Sequence, residues 1–110
     1  AMASAGSIFL RELSAVKFKK PAIPLFSYHT LQRINGAASL KMIMATQLSH
    51  PVLWIDLIKN IHRSGMLFVE LGADKVIART VRWIDRSIDM VSISDTRDML
   101  QLTERLQKAL

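Results

Sequence analysis

Three histidines, His29, His50 and His62, are the first residues in this chain whose type could support chemistry. A metal centre needs such ligands to converge, usually as an i, i+4 pair or with a carboxylate at a matching interval. No such spacing occurs here, and the chain has no cysteine. The bland readings are stronger. His50 stands with Ser49 where a helix cap belongs, His62 lies near the C-terminus of a helix where partial positive charge is favourable, and His29 falls in a loop. The acid pairs Asp85/Asp89 and Asp95/Asp98 could share acid–base work, but their places at helix ends favour capping and dipole complementarity. A nucleophile elbow, Gly-x-Ser-x-Gly, needs two glycines four apart, and the glycines stand at 6, 36, 65 and 72. The same spacing rules out a phosphate-cradling loop of the P-loop or dinucleotide type. By motif alone the sequence carries no catalytic apparatus and implies no cofactor. Six methionines fall mainly in helical patterns and read as core filler.

The elements that would position these residues come from a chain of 110 residues, 50% hydrophobic and 22% charged, with 4 glycines and 3 prolines. That composition fits one compact unit, with roughly two-thirds of the unfolded surface buried on folding. The absence of cysteine excludes disulfide staples and a cysteine nucleophile, and it fits a reducing, cytoplasmic setting. No uncharged apolar run approaches the roughly 20 residues of a membrane span, so a soluble chain with no membrane partner is expected. The first residues lack the basic and apolar regions of a secretory signal, and Ala1 reads as an addition ahead of a native start at Met2. Fifteen basic against nine acidic residues give a net charge of +6. An acidic partner is therefore expected. The positives are scattered, with only Lys17, Lys19 and Lys20 clustered, which argues against a nucleic-acid footprint.

Hydrophobic periodicity divides the chain into helices and short strands. Met2, Ala5, Phe9, Leu13 and Val16 give a first amphipathic helix that Pro21 must end. Ile23 to Ser27 reads as a buried strand, and Ser39 to Leu48 as a second helix after the Asn35-Gly36 turn. Pro51 suits the first turn of a third helix bearing Val52, Ile55, Ile58 and Ile61, closed by Gly65. Leu67 to Leu71 is a strand, and Asp74 is placed to cap a fourth helix carrying Val76, Ile77, Val81 and Ile84. Met90 to Ser94 is the next strand, with Asp95 or Thr96 capping a terminal helix whose buried side is Met99, Leu100, Leu102, Leu106 and Leu110. Strands separated by helices imply parallel pairing with right-handed crossovers. The expected class is α/β: alternating helices and three short parallel strands forming part of a three-layer α/β/α sheet.

One ordered set of motifs carries more. Gln47-Leu48-Ser49-His50-Pro51-Val52-Leu53-Trp54, then Gly65, then Phe68-Val69-Glu70-Leu71-Gly72 and Lys75-Val76-Ile77, resembles the C-terminal segment of malonyl-CoA:acyl-carrier-protein transacylases and polyketide-synthase acyltransferase domains. Upstream, Phe18, Pro21 and Ile23 to Ser27 are similar to that family's Phe-x-x-Pro-x-x-Pro-x-x-Ser strand. Met2 is similar to the methionine just after the catalytic histidine. The match covers nearly the whole chain, which would make residues 2–110 the C-terminal segment of an acyltransferase-like domain.

The resemblance implies transfer of an acyl group from coenzyme A to a serine in an elbow, and from there to the thiol of an acyl carrier protein, with a histidine as base. It also implies that the serine, the histidine and the arginine that pairs with the substrate carboxylate lie outside this chain. Gln47 alone matches a residue that serves the family's active site. Its main-chain carbonyl would orient the catalytic histidine, as the third member of a triad does. Lys17, Lys19, Lys20 and Arg82 would meet an acidic carrier protein. The sequence departs from the family in Gly72-Ala73-Asp74, where Gly-Pro-Gly is common, and in Tyr28-His29 after the strand serine. Two readings follow: an acyltransferase portion that is inactive alone, or a non-catalytic interaction module built on the same scaffold. Either leaves an unpaired sheet edge, so self-association is expected.

Overall fold

The structure, a computed structural model, describes residues 2–110; Ala1 lies outside the described residues. Packing within the chain gathers into two compact units, one reaching to Asn60 and the other spanning Ile61–Leu110. The class is α/β, with five α-helices and a two-stranded parallel sheet among the described residues. No helix among them is long and apolar enough to cross a membrane.

The first unit is helical. Helix α1 (Met2–Ser14) packs against α2 (Ala37–Thr46) and the 3-10 turn Gln47–Ser49 that continues it. Gly6 makes that approach possible: a Cβ there would lie 2.8 Å from the carbonyl oxygen of Ala45. Leu13, Ile34, Ala45, Leu57 and Ile58 are its buried apolar residues. Helix α1 ends at Ser14, well before Pro21, as the Ser14 hydroxyl donates to the Arg11 carbonyl and the chain tightens through Ala15 and Val16.

Ile23 to Ser27 is not a strand. Only an isolated antiparallel bridge, Phe26 to Arg33, forms there. Prolines at 21 and 24 remove two ladder donors, and the buried Ser27 hydroxyl accepts the N–H groups of His29 and Thr30, folding the chain into a turn instead. The turn closes with Leu31 N–H to Ser27 O and Ser27 N–H to Gln32 O, and Leu31 sits in the left-handed region at φ 61°. The three strands expected from sequence are therefore two.

Helix α3 (Trp54–Ile61) begins three residues after Pro51, because Pro51 to Leu53 stay outside the helix and Leu53 N–H is held by the Tyr28 carbonyl. Its buried positions are Leu57 and Ile58, while Val52 and Ile55 are exposed.

The second unit is a strand–helix–strand–helix sequence. Gly65, at φ 83°, makes the turn into β1 (Leu67–Leu71). Helix α4 (Val76–Ile84) crosses to β2 (Asp89–Ile93), which pairs in parallel with β1 in the register Leu67↔Asp89 to Leu71↔Ile93. Val81, fully buried, anchors α4 together with Ala78. Helix α5 (Thr96–Ala109) is capped reciprocally: the Asp95 carboxylate accepts Asp98 N–H, and the Asp98 carboxylate accepts the N–H and hydroxyl of Ser94. The expected buried side of α5 is absent. None of its residues is buried, and Met99, Leu100 and Leu106 are exposed.

Candidate functional site

Gln47 opens the 3-10 turn in which α2 winds tighter at its C-terminal end. Its N–H donates to the Ile43 carbonyl, and its own carbonyl accepts the N–H of His50 at 3.4 Å. A carbonyl oxygen has two lone pairs, so this long bond leaves acceptor capacity. The turn faces α1. A cleft of about 140 Å³ between them is lined by Ala3, Gly6, Ser7, Leu10, Ala45, Thr46 and Ser49. The segment that begins at Met2 thus lies against the turn that carries Gln47, which is the pair of motifs the resemblance sets around a catalytic histidine.

His29 and His50, read separately in the sequence as a loop residue and a cap, are brought together. Their ring centroids are 3.9 Å apart at an interplanar angle of 35°. His50 does not cap α3; it closes the 3-10 turn, and its Nδ1 lies 2.6 Å from the Thr46 carbonyl oxygen. A carbonyl can only accept, so Nδ1 carries a proton and, in the neutral ring, Nε2 holds the lone pair. Ser49 Oγ is 3.3 Å from that same Nδ1 and itself donates to the Thr46 carbonyl. A protonated Nδ1 cannot take the serine proton, so Ser49 and His50 do not form a nucleophile–base pair. No sequence spacing announces the ring contact, since it depends on the Ser27 turn.

The second unit holds its polar centre at Glu70. This carboxylate, 7% exposed, accepts Ile77 N–H at 2.9 Å, Ala78 N–H at 3.0 Å and the Ser92 hydroxyl at 2.8 Å. It therefore caps α4 from the neighbouring strand, the role expected of Asp74. The position before the helix belongs to Lys75, which adopts a left-handed conformation at φ 53° and supplies no side-chain cap. Burial acts to raise the Glu70 carboxyl, but the bonds from Ile77, Ser92 and Ala78 and the charge of Arg79 outweigh it and hold it below the ordinary glutamate range. Asp85 is likewise held low, first by the Ser87 hydroxyl and N–H, and Asp98 first by the N–H and hydroxyl of Ser94. These are structural acids, each ionised to accept hydrogen bonds. No group of three or more His, Cys, Asp or Glu among the described residues could hold a metal ion.

Of the expected partner-facing cations, Lys17, Lys19 and Lys20 lie in the segment after α1, and Arg82 lies exposed on α4 in the other unit.

No known protein family profile and no curated protein matches the chain. Solved structures do. The chain is similar to the malonyl CoA-acyl carrier protein transacylase of Coxiella burnetii, with a TM-score of 0.88 and 25% identity over 94% of this chain and 33% of that one. It is similar to the acyl-carrier-protein S-malonyltransferase of Burkholderia pseudomallei, with a TM-score of 0.86 and 23% identity over 93% of this chain and 34% of that one. For the transacylase of Clostridium perfringens the values are 0.84 and 19%, over 97% and 34%. The chain thus has the α/β fold of one portion of malonyl-CoA–acyl-carrier-protein transacylases, spanning about a third of their length.

Proposed function

We propose that residues 2–110 serve as the C-terminal portion of an acyltransferase that moves a malonyl-type acyl group from coenzyme A to an acyl carrier protein. Both compact units are read as parts of that one acyltransferase-like domain. The observation that carries the reading is the packing of α1 onto the turn of Gln47. It sets the segment that would follow the base histidine beside the carbonyl expected to orient that base. Gln47 acts here through its main chain, as a positioning residue. The serine, histidine and arginine of the reaction would come from polypeptide outside these 110 residues, and the elbow cannot form from glycines at 6, 36, 65 and 72.

In this reading the chain alone transfers nothing. Incubation with radiolabelled malonyl-CoA and a carrier protein is expected to leave both unlabelled beyond a no-protein control; stable label on either overturns the inactivity. Contact with the acidic carrier protein would be weak and electrostatic, through Lys17, Lys19, Lys20 and Arg82. Its affinity should fall as salt shortens the Debye length from about 10 Å at 0.1 M to about 3 Å at 1 M, and a salt-independent affinity counts against these residues. The setting is read as cytoplasmic, without nucleic-acid or membrane partners. Self-association is part of the proposal: on β1, Val69 is 40% and Leu71 76% exposed, leaving apolar surface beside a short two-stranded sheet. Light scattering at micromolar concentration should find a dimer, and a persistent species near 12.4 kDa would exclude it.

A further inference from the structure

The outer face of α4 combines clustered cations with an exposed aromatic ring. At about 100° per residue, Arg79, Arg82 and Trp83 fall within an arc of roughly 100° on the side of the helix opposite the buried Val81. Trp83 is 91% exposed, the most exposed aromatic ring among the described residues. These three side chains, with Ile84, Asp85 and Arg86, line one open cleft of about 790 Å³. Arg82 and Arg86 make no hydrogen bond or ion pair among the described residues, and Arg79 makes only a long bond, 3.4 Å, to the Asp74 carbonyl. The acid in the cleft, Asp85, is turned to the N–H and hydroxyl of Ser87, and Arg79 also lies in the field of the Glu70 carboxylate, so Arg82 and Arg86 are the two guanidinium groups in the cleft with no ion-pair partner among the described residues.

We infer that this cleft is a binding site for a nucleotide bearing two or more phosphates. An indole this exposed offers a stacking platform, and guanidinium groups pair with phosphate oxygens in bidentate fashion. The cleft volume lies in the range that takes a nucleotide-sized ligand. Charge decides the class of ligand: the surplus of cations selects an anion, and the flat ring beside it selects one with an aromatic base. A free nucleoside diphosphate and the nucleotide end of coenzyme A share this chemistry. The inference stands on the α4 face alone and does not depend on the acyl-transfer reading.

The test titrates the full chain, at low salt, with ADP, coenzyme A and inorganic tripolyphosphate, following binding by calorimetry and by quenching of tryptophan emission. ADP is expected to bind saturably below about 5 mM. Trp83→Ala should weaken ADP about tenfold while leaving tripolyphosphate within about twofold. Arg82→Ala with Arg86→Ala should weaken both about tenfold, and the paired lysine substitutions should restore part of the loss. Both sites are exposed, and a circular dichroism spectrum matching the unchanged chain keeps each result interpretable. Coenzyme A binding as ADP does, and lost with Trp83, identifies the coenzyme as a source; ADP binding without coenzyme A identifies a free nucleotide. No saturable binding of either, tripolyphosphate binding as tightly as ADP, or an acidic carrier protein binding through Trp83 while nucleotides do not, would each overturn the inference. Arg82 serves both readings, so the separation rests on other residues: substituting Lys17, Lys19 and Lys20 by Ala should alter carrier affinity without altering ADP affinity, and Trp83→Ala should alter ADP affinity without altering carrier affinity.

Discussion

The two compact units are held in opposite ways. In residues up to Asn60 the decisive features are close helix approach, Gly6 on Ala45, and a turn wound around one buried hydroxyl, Ser27. In Ile61–Leu110 they are carboxylates at strand–helix junctions: Glu70 for α4 and the Asp95–Asp98 pair for α5. The first kind of construction is sensitive to volume. The second has its own packed core around Val81 but depends in addition on ionisation.

The largest effect should come from the core of the helical unit. Ile58 is 2% exposed, and Ile58→Ala should cost about 2–5 kcal/mol in denaturant unfolding; a loss under about 1 kcal/mol would mean that the site collapses around the smaller residue. Next comes the helix approach. Gly6→Ala drives a methyl group onto a backbone carbonyl that cannot swing away, and about 1–3 kcal/mol should be lost, where a surface helical glycine would gain from the same change. In the other unit, Glu70→Ala deprives two helix N–H groups and the Ser92 hydroxyl of their acceptor, and the melting midpoint should drop by roughly 5–10 °C.

Acid should separate the two constructions without any substitution. The folded carboxyls of Glu70, Asp85 and Asp98 lie below their ordinary values of 4.5 and 3.8, and all three belong to Ile61–Leu110. Their contribution is complete above those values and is lost as pH falls through the lower folded ones. Amide signals of the second unit should therefore weaken first on acidification below about pH 4.5, and simultaneous loss in both units would erase the contrast. The smallest effect concerns Lys75, exposed and left-handed at φ 53°. Lys75→Gly should stabilise by about 0.5–1 kcal/mol in denaturant unfolding, since glycine relieves the strain at some entropic cost.

The same contrast governs what the sequence discloses. Residues 67–71 and the Asp95 cap are legible because their signals are local: an apolar run between turn residues, and an acid three positions before its N–H donor. Gln47 is singled out only through a string of motifs, of which the solved transacylases bear out the fold, while its positioning role belongs to the proposal. Ile23 to Ser27 is misread because apolar character alone cannot supply a neighbouring strand, and Ser27's hydroxyl prefers the turn. Glu70's capping of α4 is hidden for another reason. Its donors are seven and eight residues away, beyond any helical capping interval, and the nearer Asp74 masks it. Trp83 lies outside the stripe of Val76, Ile77, Val81 and Ile84 read from the sequence, and its exposure follows from Val81, two positions back, taking the inward direction.

Helix α5 carries a consequence for the order in which the chain comes apart. It has a well-made start and an Arg105–Asp89 ion pair in its second half, yet no residue in it is buried. Its persistence rests on its cap, one ion pair to β2 and the half-buried Leu102 rather than on a sealed interior, and the free energy needed to release it should lie below that of the whole chain. Its amides should exchange with deuterium by a separate opening, insensitive to the denaturant that melts Val81's surroundings, and a protease should clip there while α4 is still closed. The C-terminal helix is in that sense a latch whose position is chosen at Asp95 and Asp98, and which can lift while the parallel pair beneath it stays shut.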